Sequence, residues 1–131
     1  EDIDPYLMAF SRLLKKGGKL SIVKHNHVGR IMHTVIFEND IKKARELLLG
    51  KDYLTHSMGQ ANYYEMPEVI KPYPFDILDF QGIRIFYGLQ PNDVKTDPGW
   101  RENMLEMELA VNNQSPYRDI AAFQHYWLVK K

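Results

Sequence analysis

Two groups of polar residues in this chain have side chains that could carry out chemistry. In the first group, His25 and Asn26 directly follow a short apolar segment, and His27 comes next. An unperturbed imidazole titrates near neutral pH, so either histidine could take a proton from a substrate. The alternative is that these residues form only a polar loop that caps a helix. No metal site is expected, because the histidine pair lacks carboxylate or cysteine ligands at a useful spacing.

The second group contains two arginines. Arg84 lies within a long apolar segment, and Arg118 follows Tyr117 in a loop-like stretch. The planar guanidinium fork is suited to hold a carboxylate or a phosphate of a substrate. For Arg84, pairing with a neighbouring acid on a strand is an equal alternative. Tyr117 and Arg118 are the better binding candidates, because loops rather than strand interiors usually carry binding.

Composition restricts the class of protein. The chain has 131 residues, of which 44% are hydrophobic and 26% charged, and this predicts a single folded domain over residues 1–131. Seventeen basic residues balance seventeen acidic ones, so no overall positive charge favours non-specific nucleic-acid binding. The absence of cysteine excludes disulfides and thiolate chemistry and fits a cytoplasmic protein. No apolar run approaches the ~20 residues that cross a bilayer, so no membrane partner is expected.

The elements that would position these residues begin with a helix and a strand. Asp4, as the cap, and Pro5 are typical of a helix start, and apolar residues at helical spacing continue the helix to Lys15. A Gly-Gly pair then ends the helix, and the β-prone segment 19–24 follows directly. This order is typical of one αβ unit of a parallel sheet. The first polar group would then lie beyond the carboxyl end of the strand, where open α/β sheets bind ligands.

The middle of the chain is expected to be less regular. Residues 25–30 are interpreted as a polar loop, followed by a short helix over 31–36 and a second helix over 39–49. The segment 51–64 has weak periodicity and is interpreted as an exposed insertion or lid. Residues 66–70 could form one or two helical turns before the prolines that follow.

The last third of the chain predicts two strands joined by a helix. Residues 75–89 are rich in β-branched and aromatic residues and predict one long strand with a bulge at Gly82. A helix is expected to open at Asp97-Pro98 and to end near residues 112–113, and the last strand is expected over 124–129. Two late strands joined in this way suit an antiparallel pair at one side of a mixed sheet.

Three segments resemble parts of class I S-adenosylmethionine-dependent methyltransferases. Residues 10–20, FSRLLKKGGKL, resemble the "LLKPGG-L" segment that enters the fifth strand, with Lys16 in the usual proline position. Residues 82–87, GIRIFY, are similar to the "GIR-F" sixth strand of a bacterial subgroup that resembles the tRNA carboxymethoxyuridine methyltransferases. Residues 115–120, SPYRDI, followed by His125, resemble the approach to the seventh strand. The resemblance covers nearly the whole chain in the correct order.

The resemblance implies an α/β protein, the C-terminal half of a Rossmann-like methyltransferase fold with a mixed sheet, an antiparallel last strand and flanking helices. The parent enzyme would use S-adenosylmethionine and transfer its methyl group to an oxygen or nitrogen of an unidentified acceptor, a small molecule or tRNA. No G-x-G-x-x-G or looser glycine-rich turn occurs in the sequence, so this chain alone is expected to bind no cofactor and to be inactive. Its substrate-side candidates are His25, Asn26, Arg84, Tyr117 and Arg118, with Asn26 the favoured contact.

The resemblance also predicts how the strands are arranged. In the methyltransferase order, strand 19–24 would pair on one side with the last strand, which in turn would pair with strand 75–89. The other side of strand 19–24 would be an open edge, and the first helix would expose Phe10 and Leu14. A second copy of the chain, or the missing N-terminal half, is therefore the expected partner. The alternative to an enzyme is a non-enzymatic α+β module that uses the same elements for dimerisation or partner binding.

Overall fold

The computed structural model describes residues 2–51 and 63–131, together with the backbone of two short segments between them. The segment 51–64, interpreted above as a lid, lies largely outside the described residues. The helices and strands, in chain order, are α1 Asp4–Leu13, β1 Lys19–His25, α2 His27–Ile36, α3 Ile41–Leu48, β2 Leu54–Thr55, β3 Gly59–Gln60, α4 Met66–Val69, β4 Phe75–Ile83, α5 Trp100–Val111 and β5 Phe123–Lys130. Short 3-10 helices at Tyr87–Leu89, Val94–Thr96 and Tyr117–Ile120 connect the later elements.

The principal sheet has three strands in the order β1-β5-β4, and β2 and β3 form a separate antiparallel pair. The amide of Gly17 donates to the carbonyl of Lys130, whereas Asn26 at the other end of β1 donates to the carbonyl of Ala122. The first bond joins the start of β1 to the end of β5, and the second joins the end of β1 to the start of β5. The two strands are therefore antiparallel. The predicted strand order is therefore confirmed. The expected mixed sheet is wrong for the described strands, because neighbouring strands are all antiparallel.

The chain divides into two compact units, the first of which lies within residues 1–23, 52–80 and 125–131. Its core consists of six buried apolar side chains from α1, α4 and the residue that follows it, β4 and β5, namely Leu7, Met66, Ile70, Phe75, Tyr126 and Leu128. Side chains along β5 alternate between buried and less buried positions, as expected for a strand with one face on a core. The interpretation of 66–70 as a helical turn is confirmed by α4.

The ends of α1 differ from the expected pattern. Asp4 does not cap the helix but is its first residue, and its amide donates to the carboxylate of Asp2 at 3.0 Å. At the other end, the Nζ of Lys130 donates to the carbonyl oxygens of Leu14, at 2.8 Å, and Ser11. A cation from β5 therefore satisfies carbonyl groups at the C-terminal end of the helix, where the helix dipole is negative.

The apolar side chains that α1 exposes are not the expected ones. Phe10 and Leu14 both pack against the core of the first unit, so the prediction that they would be exposed is wrong. Tyr6 and Leu13 are exposed instead, and 78% of the surface of Leu13 is accessible. Seven residues separate the two, so they lie on the same side of the helix, away from the core.

The second unit lies within residues 24–51 and 81–124. The first turn of α2 begins at His27, so the expected loop over 25–30 is wrong beyond Asn26. The predicted helix 39–49 is confirmed as α3, whose N-terminus is capped by Asp40 through a 3.0 Å hydrogen bond from the amide of Lys43. Ala44 and Leu47 form the buried side of α3.

The segment after β4 departs most from expectation. The predicted strand 75–89 ends at Ile83, and Arg84 adopts a positive φ of 59° that turns the chain. Along β4 itself, Ile77 and Phe80 both pack into the core, so the alternation of faces is interrupted between them rather than only at Gly82. Helix α5 begins at Trp100, later than the expected Asp97-Pro98 start. Within residues 2–51 and 63–131, no helix is long and apolar enough to cross a bilayer.

We expect this chain to self-associate through β1 and α1. In the described residues, no strand pairs with the outer side of β1, and Val23 on this edge strand is 55% exposed. Unpaired amide and carbonyl groups beside apolar side chains favour pairing with another chain. Light scattering over a dilution series should give a mass above that of the monomer. Val23→Lys should lower this mass, whereas Val35→Lys on α2 should not. A compact monomer at all concentrations would contradict the prediction.

Candidate functional site

Asn26 connects the carboxyl end of β1 to the turn that precedes β5 through hydrogen bonds. Its side-chain Nδ2 donates to the carbonyl oxygens of Asp119 and Ala121, both at 2.8 Å, and its backbone amide donates to Ala122 at 3.1 Å. Only 5% of its surface is accessible. Both side-chain amide hydrogens are therefore used within the protein. Asn26 consequently positions the residues around it, whatever contact its remaining oxygen makes.

His25 is the last residue of β1 and is partly buried. Its ring packs against the ring of Phe123, with the centroids 4.8 Å apart. Burial, together with the positive charges of Arg30 and Lys24, lowers the pKa of His25 below its ordinary value of 6.5. Each of these causes disfavours the imidazolium form. His25 is therefore neutral at physiological pH, which is the form that can accept a proton.

Lys24 lies beside His25 but on the buried side of the strand. Its Nζ donates to the side-chain oxygen of Gln124 at 2.9 Å, and both side chains are almost inaccessible. A buried cation is costly unless it is hydrogen-bonded, and Gln124 on the adjacent strand supplies one acceptor. Lys24 thus belongs to the support of the site and not to its open face.

Tyr117 and Arg118 lie in the turn to which Asn26 is hydrogen-bonded. The ring of Tyr117 makes an edge contact with Phe86, with centroids 6.3 Å apart. The Nε of Arg118 donates to the hydroxyl of Ser115 at 3.4 Å. The structure therefore brings Asn26, Tyr117 and Arg118 to one turn. The Nε2 of His125, on β5, lies 2.6 Å from the hydroxyl of Ser21 on β1.

Glu108 organises the turn after β4, which comprises residues 84–87. Its two carboxylate oxygens accept hydrogen bonds from three successive backbone amides, those of Ile85 (2.8 Å), Phe86 (2.7 Å) and Tyr87 (3.0 Å). Converging amides of this kind form an anion-binding nest, here occupied by a side chain of the protein. The sequence analysis did not identify Glu108. A signal was present, because Glu108 falls at helical spacing between the apolar residues Met104 and Val111.

An open cleft of about 450 Å³ lies between this turn, the end of β4 and α5. The lining is mostly apolar and includes Ile83, Met104, Leu105 and Leu109, together with Arg84, Arg101 and Glu108. Arg84 is the one sequence-predicted site residue that lines this cleft. Its guanidinium lies 5.3 Å from the centre of the Tyr87 ring. Tyr117 and Arg118 are not among the residues that line this cleft.

Aromatic and cationic groups surround Tyr87 at the margin of this cleft. The Nζ of Lys95 lies 4.5 Å from the ring centre of Tyr87, and Trp100 packs beside it with centroids 5.6 Å apart. Cation–π contacts to both Arg84 and Lys95 hold this ring in place. Among the residues described, no three histidine, aspartate or glutamate side chains come together in a way that could hold a metal ion.

No protein-family model matches the sequence, and a search of the curated proteins finds no significant match. The functional assignment therefore depends on the residues and on the geometry described above.

We expect Glu108→Ala to lower the free energy of unfolding by about 2–4 kcal/mol, because three amides lose a charged acceptor. Glu106→Ala, on the same helix but exposed, should change it by no more than about 0.5 kcal/mol. Urea denaturation of the two variants and the wild type measures both values. Equal stability of the two variants would contradict the proposed role of Glu108.

We expect His25 to make the protein less stable as the pH falls. Because its pKa is lower in the folded chain than the ordinary value of 6.5, the unfolded chain binds the proton more readily. The contribution is therefore present above pH 6.5 and is lost as the pH falls below it. Thermal unfolding of His25→Gln should show a weaker decrease in Tm between about pH 7 and about pH 5 than the wild type. An unchanged pH dependence would contradict this expectation.

The pKa of His33 is also lowered, mainly by burial. His33 should therefore account for part of the pH dependence of Tm that remains in the His25→Gln variant.

Proposed function

We propose that this chain supplies the acceptor side of an S-adenosylmethionine-dependent methyltransferase. The observation that carries the proposal is the strand order β1-β5-β4 with β5 antiparallel to both neighbours. This order corresponds to the fifth, seventh and sixth strands of the family that the sequence resembles. The first resembling segment, 10–20, ends at the start of β1, and the third, 115–120, precedes β5. In the second, 82–87, only Gly82 and Ile83 belong to β4, and the other residues form the turn after it. A cytoplasmic location belongs to the same proposal.

The acceptor would lie at the carboxyl end of β1, near the turn that precedes β5. Asn26 holds this turn against the strand end, so that His25, Tyr117 and Arg118 are carried by fixed backbone and not by a free loop. Such fixation favours catalysis because a transfer reaction depends chiefly on the alignment of the reacting atoms. The neutral His25 ring is suited to remove a proton from an oxygen or nitrogen nucleophile. The Arg118 guanidinium is suited to an anionic group of the acceptor.

The buried glycines Gly29 and Gly82 do not offer a backbone cradle for the cofactor. A glycine-rich turn would leave an open backbone cradle, but the spaces beside Gly29 and Gly82 are filled by the chain. A Cβ at Gly29 would lie 2.0 Å from the carbonyl oxygen of Ala121, and one at Gly82 would lie 2.9 Å from the Ala121 side chain. These two glycines serve packing. Because the sequence also has no glycine-rich turn, we propose that the cofactor-binding elements of the enzyme belong to other residues, and we assign no cofactor contact within this chain.

A non-enzymatic partner-binding module is the second candidate. The open edge of β1 and the exposed Leu13 of α1 favour it, because both are surfaces that a partner chain could cover. The two candidates differ in what the coding sequence upstream of Glu1 should contain. An in-frame strand followed by a glycine-rich turn would support the enzyme, and an unrelated or absent upstream sequence would support the module.

We expect Arg118→Ala to impair acceptor binding and not cofactor binding in the product of the complete gene. Methyl transfer from labelled S-adenosylmethionine would be measured with tRNA and with small carboxylic acids as acceptors. The KM for the acceptor should rise by about tenfold, because a charge-assisted hydrogen bond is lost, while the KM for the cofactor stays constant. Arg12→Ala, an exposed residue of α1, is the matched control.

Absence of methyl transfer to every acceptor class would argue against the enzyme. Unchanged acceptor saturation in an active Arg118→Ala variant would leave Arg118 with a structural role only. Calorimetric titration of the 131-residue chain with S-adenosylmethionine completes the test. Stoichiometric binding would contradict the assignment of the cofactor site to other residues.

A further inference from the structure

The cleft beside α5 has the size and lining of a small-molecule site. Its volume of about 450 Å³ falls within the range of roughly 300–1,000 Å³ that is usual for ligand pockets. Leu105 and Leu109 are one helical turn apart on α5 and line the cleft, although they are 58% and 60% exposed. Two large apolar side chains exposed on one concave surface indicate that the ligand has an apolar part that would cover them.

The charges in the cleft favour an anion. Arg84 and Arg101 both line it, and within residues 2–51 and 63–131 neither makes an ion pair. Glu108 is the acid that lines the same cleft, but its oxygens already accept three backbone amide hydrogen bonds. The negative charge of this carboxylate is thus stabilised by the amides of the turn after β4. The two guanidinium groups therefore keep their affinity for an added anion.

The backbone at Arg84 gives independent support. Its φ of 59° lies in the left-handed region, which a glycine would adopt at lower cost. Backbone conformations of this kind occur frequently at ligand-binding sites. The contact with the Tyr87 ring, 5.3 Å away, also limits the positions of the guanidinium before any ligand binds.

We propose that this cleft binds a small organic anion with an apolar body. Arg84 and Arg101 would bind its carboxylate or phosphate group, and Leu105 and Leu109 would contact its aliphatic or aromatic part. The site involves different residues from the proposed acceptor site at the end of β1. It does not require that the chain take part in methyl transfer.

Calorimetric titration with three probes that share one ring system tests the proposal. The probes are 2-naphthoate, 2-naphthyl phosphate and uncharged 2-naphthol. At least one anion should bind about tenfold more tightly than the naphthol, and the comparison of the two anions identifies the preferred head group. Arg84→Met and Arg101→Met, which keep an apolar stem, should each weaken binding of that anion by about tenfold. Arg12→Met on α1 should leave it unchanged.

Leu105→Asp provides a variant that tests the apolar wall separately. Because Leu105 is largely exposed, the variant should fold, and it should lose binding of the preferred anion. Circular dichroism verifies the fold of each variant. Equal affinity for the naphthol and both anions, or no binding up to about 10 mM, would overturn the proposal. A lower mass of Leu105→Asp in light scattering would also overturn it, since the cleft would then be a contact between copies of the chain.

Discussion

The close approach of the chain around Ala121 is the constraint on which the second unit depends. Three segments meet there: the start of α2 at Gly29, the end of β4 at Gly82 and the end of β1 at Asn26. A side chain at either glycine would collide with Ala121 or its neighbours, and Ala121 itself is completely buried. Glycine is therefore required at both positions. The two glycines let the carbonyl of Ala121 accept the Asn26 amide at 2.8 Å.

A second feature is that distant side chains satisfy the backbone groups at the ends of elements. Glu108 binds three amides after β4, Lys130 binds carbonyls at the end of α1, and Asn26 binds carbonyls before β5. Each bond gives a buried or half-buried backbone group a partner that its own helix or strand cannot supply. These three ends are therefore fixed by tertiary contacts rather than by local turn residues. This explains why candidate functional residues can lie on turns and still be well positioned.

These distant contacts also explain where prediction from the sequence failed. Helix α3 was predictable because its cap, Asp40, and its buried residues lie within one local pattern. The strand order was predictable from the resemblance, since three short segments determine which strands are present. The end of β4 was not predictable, because residues 85–87 are apolar and β-prone and would continue a strand if only the local pattern decided. Their amides instead bind Glu108, which lies 21 to 23 residues further along the chain. The helical spacing of Glu108 on α5 indicates that it faces inward, but it does not identify these amides as its partners.

The same reasoning separates the candidate residues by role. Asn26 was predictable as important from its position after β1, but its side chain is directed to two carbonyls, so it acts by positioning. His25, its neighbour, keeps an imidazole that burial and two cations hold in the neutral form. Alternation along the strand places Lys24 on the buried side, where Gln124 binds it, and leaves His25 on the more accessible side. Three consecutive residues thus divide into a buried cation, a neutral base and a structural amide, and the pleat of β1 is the physical reason for that division.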